Sequence, residues 1–277
     1  MSDARRAMRV ATTQRRRSAR ASARIARRAL LPARAWLLLM ALCVATRAAA
    51  LDHDDWSALL GRYVDEQGQV AYRDLAAQSR PALAAYLTTL ATAQPNGWSR
   101  DDQLAFWLNA YNAAIVNAVL QGRSAESLLS RYGLFYRYEL ELAGKPRTPD
   151  AVENQIIRPA GEPRIHFALV CASTSCPKLR RQAWTAATLD ADLDAAARAF
   201  LRDPLRNQIR AGAPAVRLSS IFKWFRDDFG GSDDRVRGFV ARYVEEPERT
   251  WLLEQKPPIE YLDYDWTLNA QPGQRPE

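Results

Sequence analysis

The stretch RIHFALVCASTSCP, from Arg164 to Pro177, predicts a buried strand that runs into a polar turn. A short, continuous apolar run that is bounded by turn residues is typical of such a strand. Cys171 and Cys176 stand on either side of the turn, and His166 is the one histidine beyond position 53. We therefore expect any chemistry that uses sulfur and imidazole to take place in this segment.

The predicted strand limits how His166 and Cys171 can cooperate. Neighbouring side chains on a strand point to opposite faces, and five residues at about 3.3 Å each separate the two backbones by roughly 16 Å. A direct pair of these residues is therefore not expected. Cys176 lies beyond the turn, which could fold it back toward the histidine. Pro177 suits the first position of a helix, which would place Cys176 at a helix N-terminus, where backbone N–H groups stabilise a thiolate.

Charge separates residues 1–50 from the rest of the chain. They hold twelve arginines and one acid, a net charge of +11, whereas 51–277 hold 27 basic and 30 acidic residues, a net charge of −3. The apolar run 35–45 and the small residues 48–50 predict an export signal, and hence a periplasmic or secreted protein. This run is too short to span a bilayer of roughly 30 Å, so membrane contact is expected only if the segment stays uncleaved. Residues 51–277 have no basic stripe, so no nucleic-acid partner is expected.

Three interpretations of the two cysteines stay open. The first is a structural disulfide between Cys171 and Cys176, which export to an oxidising compartment favours. The second makes one cysteine a nucleophile, with His166 as its base and an acid or amide orienting the ring. In the third, both cysteines are buried small residues. The first two exclude each other only if the disulfide is permanent.

The pattern of the chain after residue 50 predicts an α+β fold: a mostly helical single domain with a small, largely antiparallel sheet formed by the later strands. Apolar residues on almost every side of the helical pattern predict a buried helix from the N-cap Ser99 to about Gln121. Alternation over 135–142, followed by Ala143-Gly144-Lys145, predicts a hairpin. The expected organisation is an export signal over 1–50, a helical extension over 51–97, the main domain over 98–270 and a polar tail over 271–277.

Other polar residues are candidates for the site. Asn109 and Asn112 share a face of the buried helix, where they can brace neighbouring backbone or contact a substrate. Glu153 and Asp265 lie in segments rich in aromatic residues, as does Asp228, and such acids are more often solvated or ion-paired than catalytic. One histidine with two cysteines at this spacing does not form a standard zinc site, so neither a metal nor another cofactor is expected.

Four motifs occur in an order that resembles the domain of unknown function 547 family. They are FWLNAYN at 106–112, RIHFALVC with SCP at 164–177, IFKWF at 221–225 and YDWTLN at 264–269. The resemblance spans about 98–270, and it implies an α+β domain that many bacteria export. It implies no substrate. The positions that match the family are Asn109, Asn112, Glu153, His166, Cys171, Cys176 and Asp265.

Two functional hypotheses follow. In the first, the protein is a thiol-dependent hydrolase or acyltransferase that acts on an amide or ester. Cys176 or Cys171 attacks, His166 accepts the proton, and Asn109, Glu153 or Asp265 orients the imidazole. Backbone N–H groups of the 172–176 turn stabilise the oxyanion.

In the second hypothesis, the protein does not catalyse a reaction. The Cys171–Cys176 disulfide braces the rim of an aromatic groove that binds a peptide, a glycan or a small molecule. Trp107 and Trp224, with Asn112, supply contacts to that ligand.

Overall fold

A computed structural model describes residues 50–276, so the predicted export signal lies, except for Ala50, outside the described residues. The described chain has the α+β fold that the sequence predicts. Its α-helices are α1 (Asp54–Tyr63), α2 (Tyr72–Thr92), α3 (Arg100–Leu120), α4 (Leu128–Tyr132), α5 (Pro149–Val152), α6 (Leu189–Arg202), α7 (Ile221–Trp224), α8 (Asp233–Ala241) and α9 (Glu248–Thr250). Its strands are β1 (Leu140–Leu142), β2 (Lys145–Arg147), β3 (Val216–Leu218) and β4 (Ile259–Tyr261).

Short turns of tighter or wider helix extend several of these elements. Wider π-helical turns follow α4, α5 and α9, at Gly133–Arg137, Glu153–Ile157 and Trp251–Gln255. Tighter 3-10 turns lie at Arg158–Ala160, Pro163–Phe167 and Arg226–Phe229. Among residues 50–276, no helix is both long and apolar enough to cross a bilayer.

The central helix α3 forms as its local signals predict. The Ser99 hydroxyl accepts a hydrogen bond from the Asp102 backbone N–H, which caps the first turn. Gly122, with a φ of +78°, follows the last turn. Almost every side chain from Leu104 to Leu120 is buried, so α3 is the axis of the larger apolar core.

Two apolar cores meet at the segment that was predicted to be a strand. Ile165 belongs to the core around α3, whereas Phe167 belongs to a second core beneath α6 and α8. His166 lies between them and is itself buried. The position of the imidazole is therefore fixed by apolar packing on both sides of it.

The prediction of a strand over 164–171 is wrong, because Pro163–Phe167 forms a 3-10 turn and Ala168 to Cys171 has no regular structure. Pro163 starts the turn, and the Glu162 carboxylate accepts the Arg164 backbone N–H. The two neighbours of His166 are buried in different cores, so the apolar residues of 164–171 do not alternate with polar ones. An apolar run without such alternation does not distinguish a strand from a buried helical turn. Pro177 does not begin a helix either; the next helix after it is α6.

The strands pair in two separate ribbons. Strands β1 and β2 form the predicted hairpin, with Ala143 and Gly144 at positive φ in the turn. The later strands β3 and β4 pair in parallel, which corrects the expectation that the later strands are antiparallel. Helices α7 to α9 lie between them in the chain, and a crossover connection of this kind produces parallel pairing.

Candidate functional site

A cleft of about 230 Å³ opens where four parts of the fold meet. These parts are α3, the helical turn after α5, the Pro163–Phe167 turn and the chain that follows β4. Five of the residues singled out in the sequence line the cleft: Glu153, His166, Cys171, Cys176 and Trp224. The structure therefore brings His166 and both cysteines to the lining of one cleft.

His166 is held by an acid–arginine pair that comes from distant parts of the chain. Its Nε2 lies 2.7 Å from Oδ2 of Asp228. The Arg158 guanidinium donates to both oxygens of the same carboxylate, at 2.7 and 2.8 Å. The ring of Phe225 stacks on the imidazole, with ring centres 4.0 Å apart. The ring orientation is thus fixed by one hydrogen bond to a charged carboxylate and one stacking contact.

These contacts also fix the protonation state of His166. The hydrogen bonds from His166 and Arg158 hold the pKa of Asp228 well below its usual range, so its carboxylate can only accept. Nε2 of His166 must then carry the hydrogen. Burial lowers the pKa of His166, and the neutral ring keeps its lone pair on Nδ1. Nδ1 has no hydrogen-bond partner among residues 50–276, so it is the basic atom of this wall of the cleft.

Glu153 is the second titratable group of the cleft. It begins the π-helical turn after α5, a local widening that is common at functional sites. Burial raises its pKa to about 7, and the Arg158 charge only partly offsets this effect. In the described chain, its carboxylate has one hydrogen-bond donor, the Tyr111 hydroxyl at 3.5 Å. Glu153 can therefore bind or release a proton near neutral pH.

Cys171 and Cys176 are joined as a disulfide, with their Cα atoms 6.3 Å apart. Their surroundings are unequal, because Cys176 is 2% exposed whereas Cys171 is only partly buried. Sγ of Cys176 accepts the Cys171 backbone N–H at 2.9 Å and the Tyr264 hydroxyl at 3.3 Å, and the Ser173 hydroxyl lies 3.3 Å away. These are the groups that would stabilise a thiolate at Cys176 once the disulfide opens.

The turn between the cysteines supplies few of the predicted oxyanion donors. The backbone N–H groups of Thr174, Ser175 and Cys176 already donate to backbone carbonyls. Ala172 adopts a φ of +59°, a left-handed conformation that costs a residue with a side chain roughly 1–2 kcal/mol. Backbone strain of this kind clusters at active sites and ligand clamps. The Tyr264 hydroxyl, which burial keeps protonated by raising its pKa, lies within hydrogen-bond distance of both sulfur atoms, 3.4 Å from Cys171 and 3.3 Å from Cys176.

Aromatic side chains form the remaining wall. Trp224 and Trp266 are stacked with ring centres 5.6 Å apart, and Tyr264 packs against both at 4.8 and 4.5 Å. Trp224 is nevertheless 47% exposed, so part of this three-ring cluster is open to solvent. An exposed, clustered aromatic surface beside titratable groups is typical of a small-molecule site.

The family model for proteins of unknown function, DUF547, matches residues 95–201. This part of the chain resembles the DUF547 family. The DUF547 match contains α3, Glu153, His166 and both cysteines, whereas Asp228 and the three-ring cluster follow it in the chain. The wider span of 98–270 that the motifs suggest stays a prediction. No curated protein and no solved structure matches the chain.

Two of the predicted site residues act as backbone braces within residues 95–201. The Asn109 side chain donates to the Trp184 carbonyl at 2.8 Å and accepts the Trp184 N–H at 2.9 Å. Asn112 donates to the Ala168 carbonyl and accepts the Val170 N–H, both at 3.0 Å. Both amides are buried and neither lines the cleft, so they hold the cysteine-bearing segment against α3.

Asp265 and Trp107 also lie away from the cleft. Asp265 is exposed, and its Oδ1 accepts the Thr267 backbone N–H in a local turn. Trp107 is buried in the α3 core, with the Arg147 guanidinium over its ring. Asp228, rather than Asn109, Glu153 or Asp265, orients the imidazole.

Sequence reasoning missed Arg158 and Tyr264 as site residues and treated Asp228 as an ordinary surface acid. Asp228 is 62 residues from His166 in the chain, and no local pattern links the two. The one available signal was the presence of Tyr264 and Asp228 in the aromatic segments. In residues 50–276, no group of three or more histidine, cysteine or acidic side chains is placed to hold a metal ion.

Proposed function

We propose that the cleft is the active site of a thiol-dependent hydrolase or acyltransferase that acts on an amide or ester bond. The observation that carries this proposal is the neutral His166, oriented by Asp228 and Arg158, in a cleft that both cysteines also line. A nucleophile, a base and a group that orients the base are the minimum set for acyl transfer.

Cys171 is the nucleophile in this proposal, because this residue is the more exposed of the two. A dithiol reductant first opens the disulfide: it gives two electrons and two protons to the cysteines and becomes a disulfide itself. His166 Nδ1 then takes the Cys171 thiol proton, and the thiolate forms a bond to the acyl carbon. The carbon–oxygen or carbon–nitrogen bond breaks, and the leaving group takes the proton from His166. Water or an amine then releases the acyl group.

Two further residues support the transition state. The Tyr264 hydroxyl, 3.4 Å from Sγ of Cys171, is placed to donate to the oxyanion. Glu153, with a pKa near 7, can accept the proton of the water or amine that releases the acyl group. Cys176 stays behind as a thiol or thiolate beside the Cys171 backbone N–H and the Ser173 hydroxyl.

The test compares hydrolysis of a panel of p-nitrophenyl esters and anilides by variants that each lack one cysteine of the pair. With Cys176→Ala the Cys171 thiol loses its disulfide partner, so activity should no longer require a reductant. Cys171→Ala should be inactive with or without reductant, and His166→Gln should lose about 10²–10⁴ of kcat/KM. If Cys171→Ala keeps full activity on every substrate that the reduced protein cleaves, the assignment is wrong.

A second candidate is a binding domain without catalysis, braced by the disulfide. The observation that favours it is the joined Cys171–Cys176 pair beside the three-ring cluster of Trp224, Tyr264 and Trp266. Mass spectrometry after treatment with mild reductant distinguishes the two. A disulfide that resists reduction in the folded protein favours bracing, whereas rapid opening favours the thiol mechanism.

The cellular location in this proposal is the periplasm or the extracellular space. Support comes from the arginine-rich segment and apolar run within residues 1–50 and from the cysteine pair, because disulfides persist in oxidising compartments. Expression of the full chain in a bacterium, followed by fractionation and N-terminal sequencing, tests it. A mature protein that begins near residue 51 outside the cytoplasm is expected; an intact N-terminus in the cytoplasm would contradict it.

A further inference from the structure

The charged side chains that line the cleft, among the residues that the structure describes, are acidic. Asp150 and Glu153 line it, and no lysine or arginine does so in the part of the chain that the structure describes. Within that part, neither carboxylate belongs to a salt bridge: the Asn154 amide donates to Asp150, and the Tyr111 hydroxyl to Glu153. The cleft therefore has two acidic side chains without a salt-bridge partner, and the Arg158 charge, which is paired with Asp228, only partly offsets the charge of Glu153.

The nearby cations are engaged elsewhere. The Arg158 guanidinium is bound to both oxygens of Asp228. Arg131 lies 4.2 Å from the centre of the Trp266 ring and is not among the residues that line the cleft. The Arg131 contact shows that this ring accepts a cation on its face.

The opposite wall is made of aromatic rings. Trp224, Tyr264 and Trp266 pack within 4.5–5.6 Å of one another, and Trp224 is half exposed. Aromatic faces and a nearby carboxylate attract a cation whose surface is partly apolar, because the ring quadrupole and the acid act together. A neutral ligand of the same shape gains only the apolar contact.

We propose that the ligand of this cleft carries an ammonium group, which lies between the three-ring cluster and the carboxylates of Asp150 and Glu153. This inference rests on the proposed function and gives it a substrate class: esters of amino alcohols and amides of diamines, in which one amino group stays free to carry the charge. The acyl group then points toward Cys171 and His166, which line the same cavity.

The test uses two probes of nearly equal shape, choline and its uncharged isostere 3,3-dimethylbutan-1-ol. Binding of each to the full chain with its disulfide intact is measured by titration calorimetry at pH 8. At that pH Glu153, whose pKa is about 7, is largely ionised. The other groups that influence its pKa are Arg158, Asp150, Tyr111 and Asp228. Choline is expected to bind about tenfold more tightly than the alcohol. Equal affinities, tighter binding of the alcohol, or no binding of choline at millimolar concentration would overturn the inference.

Variants locate the effect. Trp224→Leu and Glu153→Gln should each remove most of the preference for choline. Glu254→Gln, which changes an exposed acid away from the cleft, should leave that preference unchanged. A preference that survives both cleft variants would also overturn the inference.

The two proposals fail separately. Because the disulfide stays closed in the binding experiment, no thiol chemistry takes part. Selectivity for choline without any esterase activity after reduction would refute the proposed function alone. Activity on neutral esters without selectivity for choline would refute the substrate class alone.

Discussion

Replacing Asp228 with asparagine removes the charge that orients His166 while it keeps the shape of the side chain. The carboxylate accepts three charge-assisted hydrogen bonds: two from Arg158 at 2.7 and 2.8 Å and one from Nε2 of His166 at 2.7 Å. An asparagine has one acceptor oxygen, so it can keep only part of this set. Its NH2 group also faces a donor, which leaves at least one guanidinium N–H without a partner.

The expected loss of stability follows from the number of hydrogen bonds to Asp228 that are removed and from the solvent exposure of the residues that make them. A hydrogen bond to a charged group contributes about 1.5–3 kcal/mol. Asp228 and Arg158 keep 23% and 30% of their side-chain surface exposed, so water screens part of the ionic contribution. For the loss of two such bonds we expect the free energy of unfolding to fall by about 2–3 kcal/mol at pH 7.

The assay is urea unfolding, followed by the tryptophan fluorescence of the protein. Asp227→Asn is the matched control, because the neighbouring Asp227 is exposed and lacks these contacts; its cost should be under about 0.5 kcal/mol.

The pH dependence supplies a second criterion. The folded pKa of Asp228 is depressed, so its stabilisation is present above the unfolded value of about 4 and is lost as the pH falls through the folded pKa. The difference in the free energy of unfolding between wild type and Asp228→Asn should therefore become smaller below about pH 4. If Asp228→Asn is as stable as Asp227→Asn at pH 7, or if the difference in stability between wild type and Asp228→Asn grows in acid, the reasoning is refuted.

Two further predictions concern the walls of the site. Burial raises the pKa of Glu153 from 4.5 to about 7, so the stability contributed by its protonated form is full below pH 4.5 and is lost as the pH rises through 7. Between pH 4.5 and 8.5, the free energy of unfolding of Glu153→Gln should therefore rise by up to about 3 kcal/mol relative to that of wild type. Urea unfolding at both pH values measures this change. Asn109→Ala leaves the buried N–H and C=O of Trp184 without partners and should cost about 2–4 kcal/mol in the same assay, whereas an exposed change such as Asp265→Ala should cost little.

The parts of the fold that local signals determine were predictable. The N-cap Ser99, the nearly continuous apolar surface of α3 and the glycine at position 122 each act within a few residues, and together they gave the helix its bounds. The hairpin turn at Ala143 and Gly144 is another local signal. The α+β class followed from the order of such signals along the chain.

The geometry of the site depended on contacts between distant residues, which no local pattern encodes. Whether Ile165 and Phe167 flank His166 in a strand or in a 3-10 turn depends on which core each side chain enters. The partner of His166 is 62 residues away in the chain, and nothing in the spacing of the acids distinguishes Asp228 from other aspartates. The amides of Asn109 and Asn112 had two possible uses, and only the folded backbone shows that they brace it.

The central claim is that His166, oriented by Asp228, activates the Cys171 thiol in the cleft. The most direct measurement is the rate of alkylation by iodoacetamide of the reduced Cys176→Ala protein at pH 7, compared with His166→Gln and Asp228→Asn in the same background. We predict that Cys171 reacts at least about tenfold faster than a cysteine in an unfolded peptide, and that both changes remove this advantage. A rate equal to that of the peptide, or one that neither change affects, would contradict the account.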